Sequence, residues 1–268
     1  MMCEVLGVSR AGYDRWRKRT PSPRAKENEQ LSEFLHNTAE LQERIPGYRK
    51  LWEEAVASGF RCSQGRVQRL LQKLGYRAVS APRAGYRKAK SDWPVLPNLL
   101  NREFQVDCPN QVWVSDITQI RCEEGWLYVA VVVDLYARRV VGWSSGAQNT
   151  ALLVKQALAR AWRKRRPSGN GLLFHSDQGS QYRSEQVMRW LNRRGITISM
   201  SRRGNCWDNA CSESFFASMK KEWVHPLGII NREAMSHEVG YYIEKYYDKV
   251  RRHATLGYVA PAVFEAAV

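Results

Sequence analysis

The sequence predicts an α/β domain preceded by an all-helical segment and followed by a short helical tail. Three observations carry this reading. Up to about residue 78, apolar residues recur at spacings of three and four, the period of helices packed on one face. Runs with the period of a strand begin only at Val112. Between them, residues 79–110 are rich in proline and cations and have little periodicity, as a basic linker does.

Residues 1–78 read as a helix-turn-helix-like region. In "EVLGVSRAGYDRWRKR" a Gly7-Val8 turn and a capping Ser9 precede a basic helix carrying Tyr13 and Trp16, and "TPSP" breaks the chain after it. The first helix of such a motif is too short here to stand alone, so the start has the look of a fragment. A second helix is expected from about Ala25 to Arg44, with Leu31, Phe34, Leu35, Thr38 and Leu41 inward. A third, about Tyr48 to Ala57, ends at Gly59. A fourth follows the N-cap Ser63 and buries Val67, Leu70, Leu71 and Leu74. Its outer face, with Arg66, Arg69 and Lys73 among glutamines, offers the donors that reach base edges and phosphates.

From Val112 the pattern changes. "VWVSDITQIR" alternates like a half-buried strand, "CEEG" is its turn, and "WLYVAVVVD" is apolar enough for a central strand buried on both faces. "RRVVGWSS" is a third strand, Asn149–Arg163 a helix, "GLLFHSD" a fourth strand, "SEQVMRWLNRRG" a helix closed by Gly195, and "ITISMS" a fifth strand. A last helix is expected over about Asp208 to Trp223. Three strands, helix, strand, helix, strand, helix is the element order of a ribonuclease H-like fold. The core then spans 111–225 and the helical tail 226–268.

The charge balance points to a polyanionic partner. With 42 Lys and Arg against 26 Asp and Glu, the formal charge is +16, of which residues 1–90 contribute +10 and residues 91–268 +6. Neutralising phosphates with such cations releases condensed counterions. No apolar run is long enough to span a membrane. The six cysteines form no Cys-x-x-Cys pair, so they read as reduced thiols of a cytoplasmic, nucleoid-associated protein.

Three acids stand out within the predicted core. Asp116 lies in the first strand, Asp177 just past the fourth, and Glu213 in the last helix, with 60 and 35 residues between successive members. Neighbouring strand positions crossed by a helix can gather three carboxylates around hard cations, and Mg²⁺ prefers oxygen ligands. Two ions about 3.5–4 Å apart suit an in-line phosphoryl displacement. On an ideal helix Asn209, Glu213 and Lys220 share one face, while Cys211, Phe215 and Met219 share another. Lys220 and Asn209, with Arg202 and Arg203 on the preceding loop, are the candidate DNA contacts beside the acids. Asp134 reads as a turn or cap residue and His175 as structural.

The motifs "VWVSDITQI", "LYVAVVVDLYARRVVGW", "FHSDQGSQY", "MSRRGNCWDNACSESFFASMKKE" and "YDKVRRHATLGYVAP" resemble the second-frame product (OrfB) of the "IS three" insertion-sequence transposases, over essentially the whole chain. The resemblance implies a core of the retroviral integrase superfamily with a DDE triad at Asp116, Asp177 and Glu213, which would bind Mg²⁺ or Mn²⁺. It implies cleavage at element ends and attack by the freed 3′-OH on double-stranded DNA, by a homo-oligomer assembled on that DNA. It also implies a possible partner, the upstream-frame helix-turn-helix protein, joined by frameshift. Where the family pattern has Tyr-Asn in the C-terminal motif, this chain has Tyr247-Asp248. The alternatives are a catalytically silent DNA-binding regulator, which predicts no metal-dependent cleavage, and a nuclease on the same fold, which would cut without joining.

Overall fold

The chain divides into two units, Met1–Ala78 and Val79–Val268. The computed structural model describes residues 7, 9–17, 22–78, 96–167, 171–202 and 206–267. Most of the expected linker, and Arg203, lie outside these residues.

The first unit is helical: α1 (Arg10–Arg17), α2 (Pro23–Leu41), α3 (Tyr48–Ala57) and α4 (Gln64–Lys73). Ser22 and Ser63 cap α2 and α4 by accepting from the amides of Ala25 and Arg66, as N-cap serines do. Leu31, Leu35 and Ala39 of α2 bury against Leu51 and Ala55 of α3 and Val67, Leu70 and Leu71 of α4. Two expected core residues are not buried: Leu41 is 85% exposed and Leu74 45%. Each sits where its helix ends, α2 giving way to Glu43 and Arg44 at positive φ, after which Ile45 turns inward instead.

The second unit is built on a five-stranded sheet in the order β3-β2-β1-β4-β5. Its strands are β1 (Val112–Cys122), β2 (Gly125–Asp134), β3 (Arg139–Gly146), β4 (Leu173–Ser176) and β5 (Thr197–Met200). The first three run antiparallel, with a two-residue turn pairing Cys122 with Gly125, and β4 and β5 continue the sheet in parallel with β1. Two crossover helices make that reversal possible, α5 (Ala151–Arg165) before β4 and α6 (Glu185–Asn192) before β5. They cover one face, where Ala130 and Val132 of β2 meet Val154, Leu158 and Leu191. Val129, Val131 and Val133 alternate to the other face, so β2 is buried on both sides. Where α5 crosses β3, a Cβ at Gly142 would stand 2.4 Å from the Ala157 carbonyl oxygen, so only glycine admits the helix that closely.

The last expected helix is a composite. A 3₁₀ turn (Cys206–Asn209) leads into α7 (Ala210–Met219), and a π-helical turn (Lys220–Val224) continues it. The tail packs on the core. In α8 (Arg232–Tyr241) and its π-helical extension (Tyr242–Tyr247), Tyr241 stacks on Trp223 at 5.4 Å, and Tyr247 meets Phe215 edge-on at 4.8 Å. The chain ends with α9 (Pro261–Ala266), whose Glu265 pairs with Arg139 and Arg165. Among the described residues, no helix is long and apolar enough to cross a membrane.

Candidate active site

Two strands and one helix bring the three singled-out acids together. β1 and β4 run parallel with Ser115 opposite Ser176, so Asp116 and Asp177 are the next residues along neighbouring strands, on one face, about 5 Å apart in backbone. Glu213 stands in the first turn of α7, and the start of that helix is tied to β1 by Asn209, whose amide donates to the Ser115 carbonyl at 3.3 Å. Asp116 is half-buried on the floor; Asp177 and Glu213 are exposed at the rim.

The electrostatics couple all three. Burial, then the charges of Asp177 and Glu213, push the Asp116 carboxyl up to about 8, against the Ile117 amide and Lys220, which favour the ionised form. Asp177 is raised by the crowding of protein around it, although the Gly179 amide donates to its Oδ1 at 3.0 Å and Arg183 acts in the same direction. Glu213 is raised by burial and then by the charge of Asp177. Among the described residues none of the three forms an ion pair. Nor do any three His, Cys, Asp or Glu side chains lie close enough there to share a single ion. The donor set nevertheless suits a hard cation: oxygen donors only, ionisation opposed by mutual repulsion, and Asn209 Oδ1 and Ser212 Oγ buried beside them without partners.

Beneath the carboxylates lies a layer that spacing arguments miss. Tyr182 is fully buried, its hydroxyl 2.9 Å from Ser115 Oγ, which in turn donates to the Val131 carbonyl. Burial, and then Asp116 and Asp177, keep its phenol neutral. His175 is buried with its ring nitrogens 2.8 and 3.1 Å from Ser199 and Ser201, and burial lowers its pKa to about 4, so it is a structural neutral imidazole. Asp134 caps the turn after β2 by accepting from the Asn110 and Tyr136 amides.

Several expected DNA contacts are bonded to other groups of the protein. Asn209 precedes α7 in a 3₁₀ turn, off the helical face assigned to it, and is 4% exposed in its bond to β1. Arg202 grips the fully buried Asp208 through Nε and Nη2 at 2.9 and 2.8 Å, with Arg102 on the same carboxylate at 2.9 Å. Those guanidinium bonds hold Asp208 well below the usual carboxylate range, and no sequence signal marked it. Arg66 turns back onto Asn28 and Glu27 of α2, whereas Arg69 and Lys73 stay exposed. Lys220 is half-buried, its pKa lowered by burial against the opposing pull of Asp116, whose field it shares.

Two family models, both described as integrase core domain, match residues 106–206 and 194–261. The InsF transposase for insertion sequence IS3A from Escherichia coli K12 is 38% identical over 98% of this chain and 92% of its own length. The 31 kDa protein of insertion element IS600 from Shigella sonnei is 37% identical over 98% and 97%. Among solved structures, the magnesium-bound catalytic core of HTLV-2 integrase aligns with 59% of this chain and 97% of its own at a TM-score of 0.45 and 13% identity. Sequence likeness sustained from end to end of the InsF relatives, on a ribonuclease H-like strand order, means that this chain belongs to the IS3 family of insertion-sequence transposases, DNA-acting polynucleotidyl transferases whose integrase-type core depends on divalent metal.

Proposed function

We propose that Asp116, Asp177 and Glu213 are the catalytic carboxylates of this transposase and that they hold two Mg²⁺ ions, with Mn²⁺ able to replace them. The observation that carries the reading is electrostatic: the charges of Asp177 and Glu213 oppose ionisation of Asp116, and no ion pair among the described residues relieves them. Bound there, two such ions would activate a water or a 3′-OH and stabilise the leaving oxygen of an in-line displacement. The chain's own groups hold the arrangement: the Ile117 and Gly179 amides orient the two aspartates, and the Tyr182 hydroxyl braces the strand beneath them. Glu213 makes no hydrogen bond or ion pair among the described residues and is able to turn inward to complete the set. Lys220, beside Asp116, is suited to a DNA phosphate.

The reaction is cleavage at insertion-sequence ends followed by joining of the 3′-OH to target DNA, without a covalent protein–DNA intermediate. Residues 1–78 bind DNA through Arg69 and Lys73, 79–110 link them to the catalytic core at 111–225, and 226–268 brace that core. Arg203 remains a candidate phosphate contact. Two ends have to be held at once, so a homo-oligomer assembles on double-stranded DNA, with the upstream-frame helix-turn-helix protein as a further partner. The site of action is the cytoplasmic nucleoid. Strand transfer from pre-cut ends in Mg²⁺ tests the core of this reading. Glu213→Gln is expected to form no joined product, and joining at the wild-type level would remove Glu213 from the mechanism. Cutting without joining by the wild type would make the protein a nuclease.

A further inference from the structure

A second basic surface stands at the opposite end of the sheet from the carboxylates. The chain leaves α5 to enter β4 at Leu173 and leaves α6 to enter β5 at Thr197, and these two residues pair. Both helix C-termini therefore meet at one end of the strands, while Asp177 follows the other end of β4. At the meeting point Trp162 and Trp190 contact edge to face at 6.0 Å. The Arg194 guanidinium lies over Trp190 at 3.8 Å and 5.3 Å from the Trp162 ring, held by its bond to the Trp190 carbonyl.

Further arginines stand at these two helix ends. Arg163, Arg166 and Arg193 are exposed, and among the described residues none has an acidic partner. The acids nearby are already matched from inside: Arg165 takes Asp134 and Glu265, and Lys164 donates to the Val140 carbonyl. α5 contains no acid, and Glu185, the acid of α6, sits in its first turn, paired with Arg189. Cations in the last turn complement a helix dipole, but here three exposed guanidinium groups stand at the two helix ends, Arg163 in the last turn of α5 and Arg166 and Arg193 as C-caps, beyond the cations already engaged within the protein.

We infer that this surface holds duplex DNA of no particular sequence through its phosphates, at a distance from the carboxylates. The occupant follows from the side chains: guanidinium groups suit phosphate, and exposed arginines at the helix ends beside the Arg194–tryptophan stack position a backbone without reading bases. Such DNA is the target duplex. The inference rests on the proposed strand-transfer reading only for the use of this binding, and the binding is measurable without catalysis.

The test is the salt dependence of affinity for a random-sequence 30-base-pair duplex, comparing the wild type with R163A/R166A/R193A. Removing one arginine–phosphate bond lowers the slope of log K against log salt by about 0.9, so a drop of roughly 2–3 is expected. Affinity at low salt should fall ten-fold or more, with the melting temperature unchanged because the three side chains are exposed. Strand transfer into target should fall in parallel, while cleavage of a short duplex carrying the element end persists. An unchanged slope and affinity in the triple variant would overturn the inference. Asp177→Asn separates the two readings: it should keep the wild-type slope while forming no joined product. Failure of the wild type to join DNA would strike the catalytic proposal and leave the slope comparison decisive for this surface.

Discussion

The core holds two groups of acids, and they are built on opposite terms. Asp177 raises the pKa of both Asp116 and Glu213, Glu213 adds to the rise at Asp116, and none of the three has an ion pair among the described residues. Asp134, Asp248 and Glu265, drawn from the ends of β2, α8 and α9, are threaded by two arginines. Arg165 bridges Asp134 at 3.5 Å and Glu265, and Arg139 bridges Glu265 at 2.6 Å and Asp248 at 3.5 Å. Backbone amides of Asn110, Tyr136 and Val140 complete the shell. Burial works against Glu265 as it does against the others, yet its bonds to Arg165 and Arg139 hold it below the usual carboxylate range. The lesson is about counter-charge. Where the protein binds the acids with its own guanidinium groups, they staple the tail to the sheet; where Lys220 and Arg183 act only through their field, the acids await a cation from outside. Asp208 makes the same point beside the site itself, since two arginines neutralise it five residues before Glu213.

The sharpest way to break this contrast is to remove charge from the uncompensated group. Asp116→Asn should lower strand transfer by about 10³-fold or more, the scale of losing a preorganised electrostatic group, while the metal-free protein melts at a higher temperature because the folded state no longer has to take up a proton there or bear a repelled carboxylate. Gel assays and thermal denaturation read the two effects on one preparation. A fall in both activity and melting temperature would mean that Asp116 serves packing and not an external cation.

The converse change strikes the staple. Arg165→Met leaves Asp134 and Glu265 buried without their shared cation, and breaking a buried pair from one side costs about 3–5 kcal/mol. Urea denaturation should show that loss, with strand transfer per folded molecule preserved. Activity lost beyond the unfolded fraction would show that the two groups are not separable.

Much of this architecture was readable before any coordinates. The alternation of "VWVSDITQIR" fixes which side of β1 faces the core, and the Glu123-Glu124 turn sets the register with β2. Local signals also place Ser22 and Ser63 as caps or breaks, although the ends of α2 and α4 expose leucines that a continued helix would have buried. What spacing does not carry is the pairing of distant side chains. Arg66 reads as an outward cation because its own helix says so, and only the packing of α2 turns it inward. Asn209 shares the helical face of Glu213 only if the α-helix begins before Ala210, as the expected start at Asp208 requires. Nothing local ties Arg165 to Glu265, or Arg102 to Asp208, because such pairs exist only once the chain is folded.

Asp116 and Asp248 answer pH in the same direction but over different windows. A carboxyl raised above its unfolded value binds more protons in the folded state, so stability falls as pH climbs from the unfolded pKa toward the folded one. For Asp116 that window runs from about 4 to about 8. Without divalent ions, the melting temperature should therefore decline between pH 6 and 8. Asp116→Asn should flatten that decline, and added Mg²⁺ should do the same by favouring the ionised form. A profile indifferent to both changes would contradict the coupling among the three carboxylates.

The smallest effect belongs to Asp248, where the family pattern has asparagine. Burial pushes its carboxyl up to about 6, in spite of Lys164, the Val140 amide and Arg139. The raised value means that the folded protein prefers this residue neutral, and an asparagine is neutral at every pH. Asp248→Asn keeps an oxygen to accept from Val140, and Arg139 retains Glu265, so neither is stranded. The expected change at pH 7 is within about 1 kcal/mol, with the decline in stability between pH 4 and 6 reduced and the step from 6 to 8 untouched. Denaturation curves at pH 5 and pH 7 measure both. A loss above about 2 kcal/mol at pH 7, too large for a surplus charge, would mean that the staple needs the charge of Asp248 and not only its oxygen.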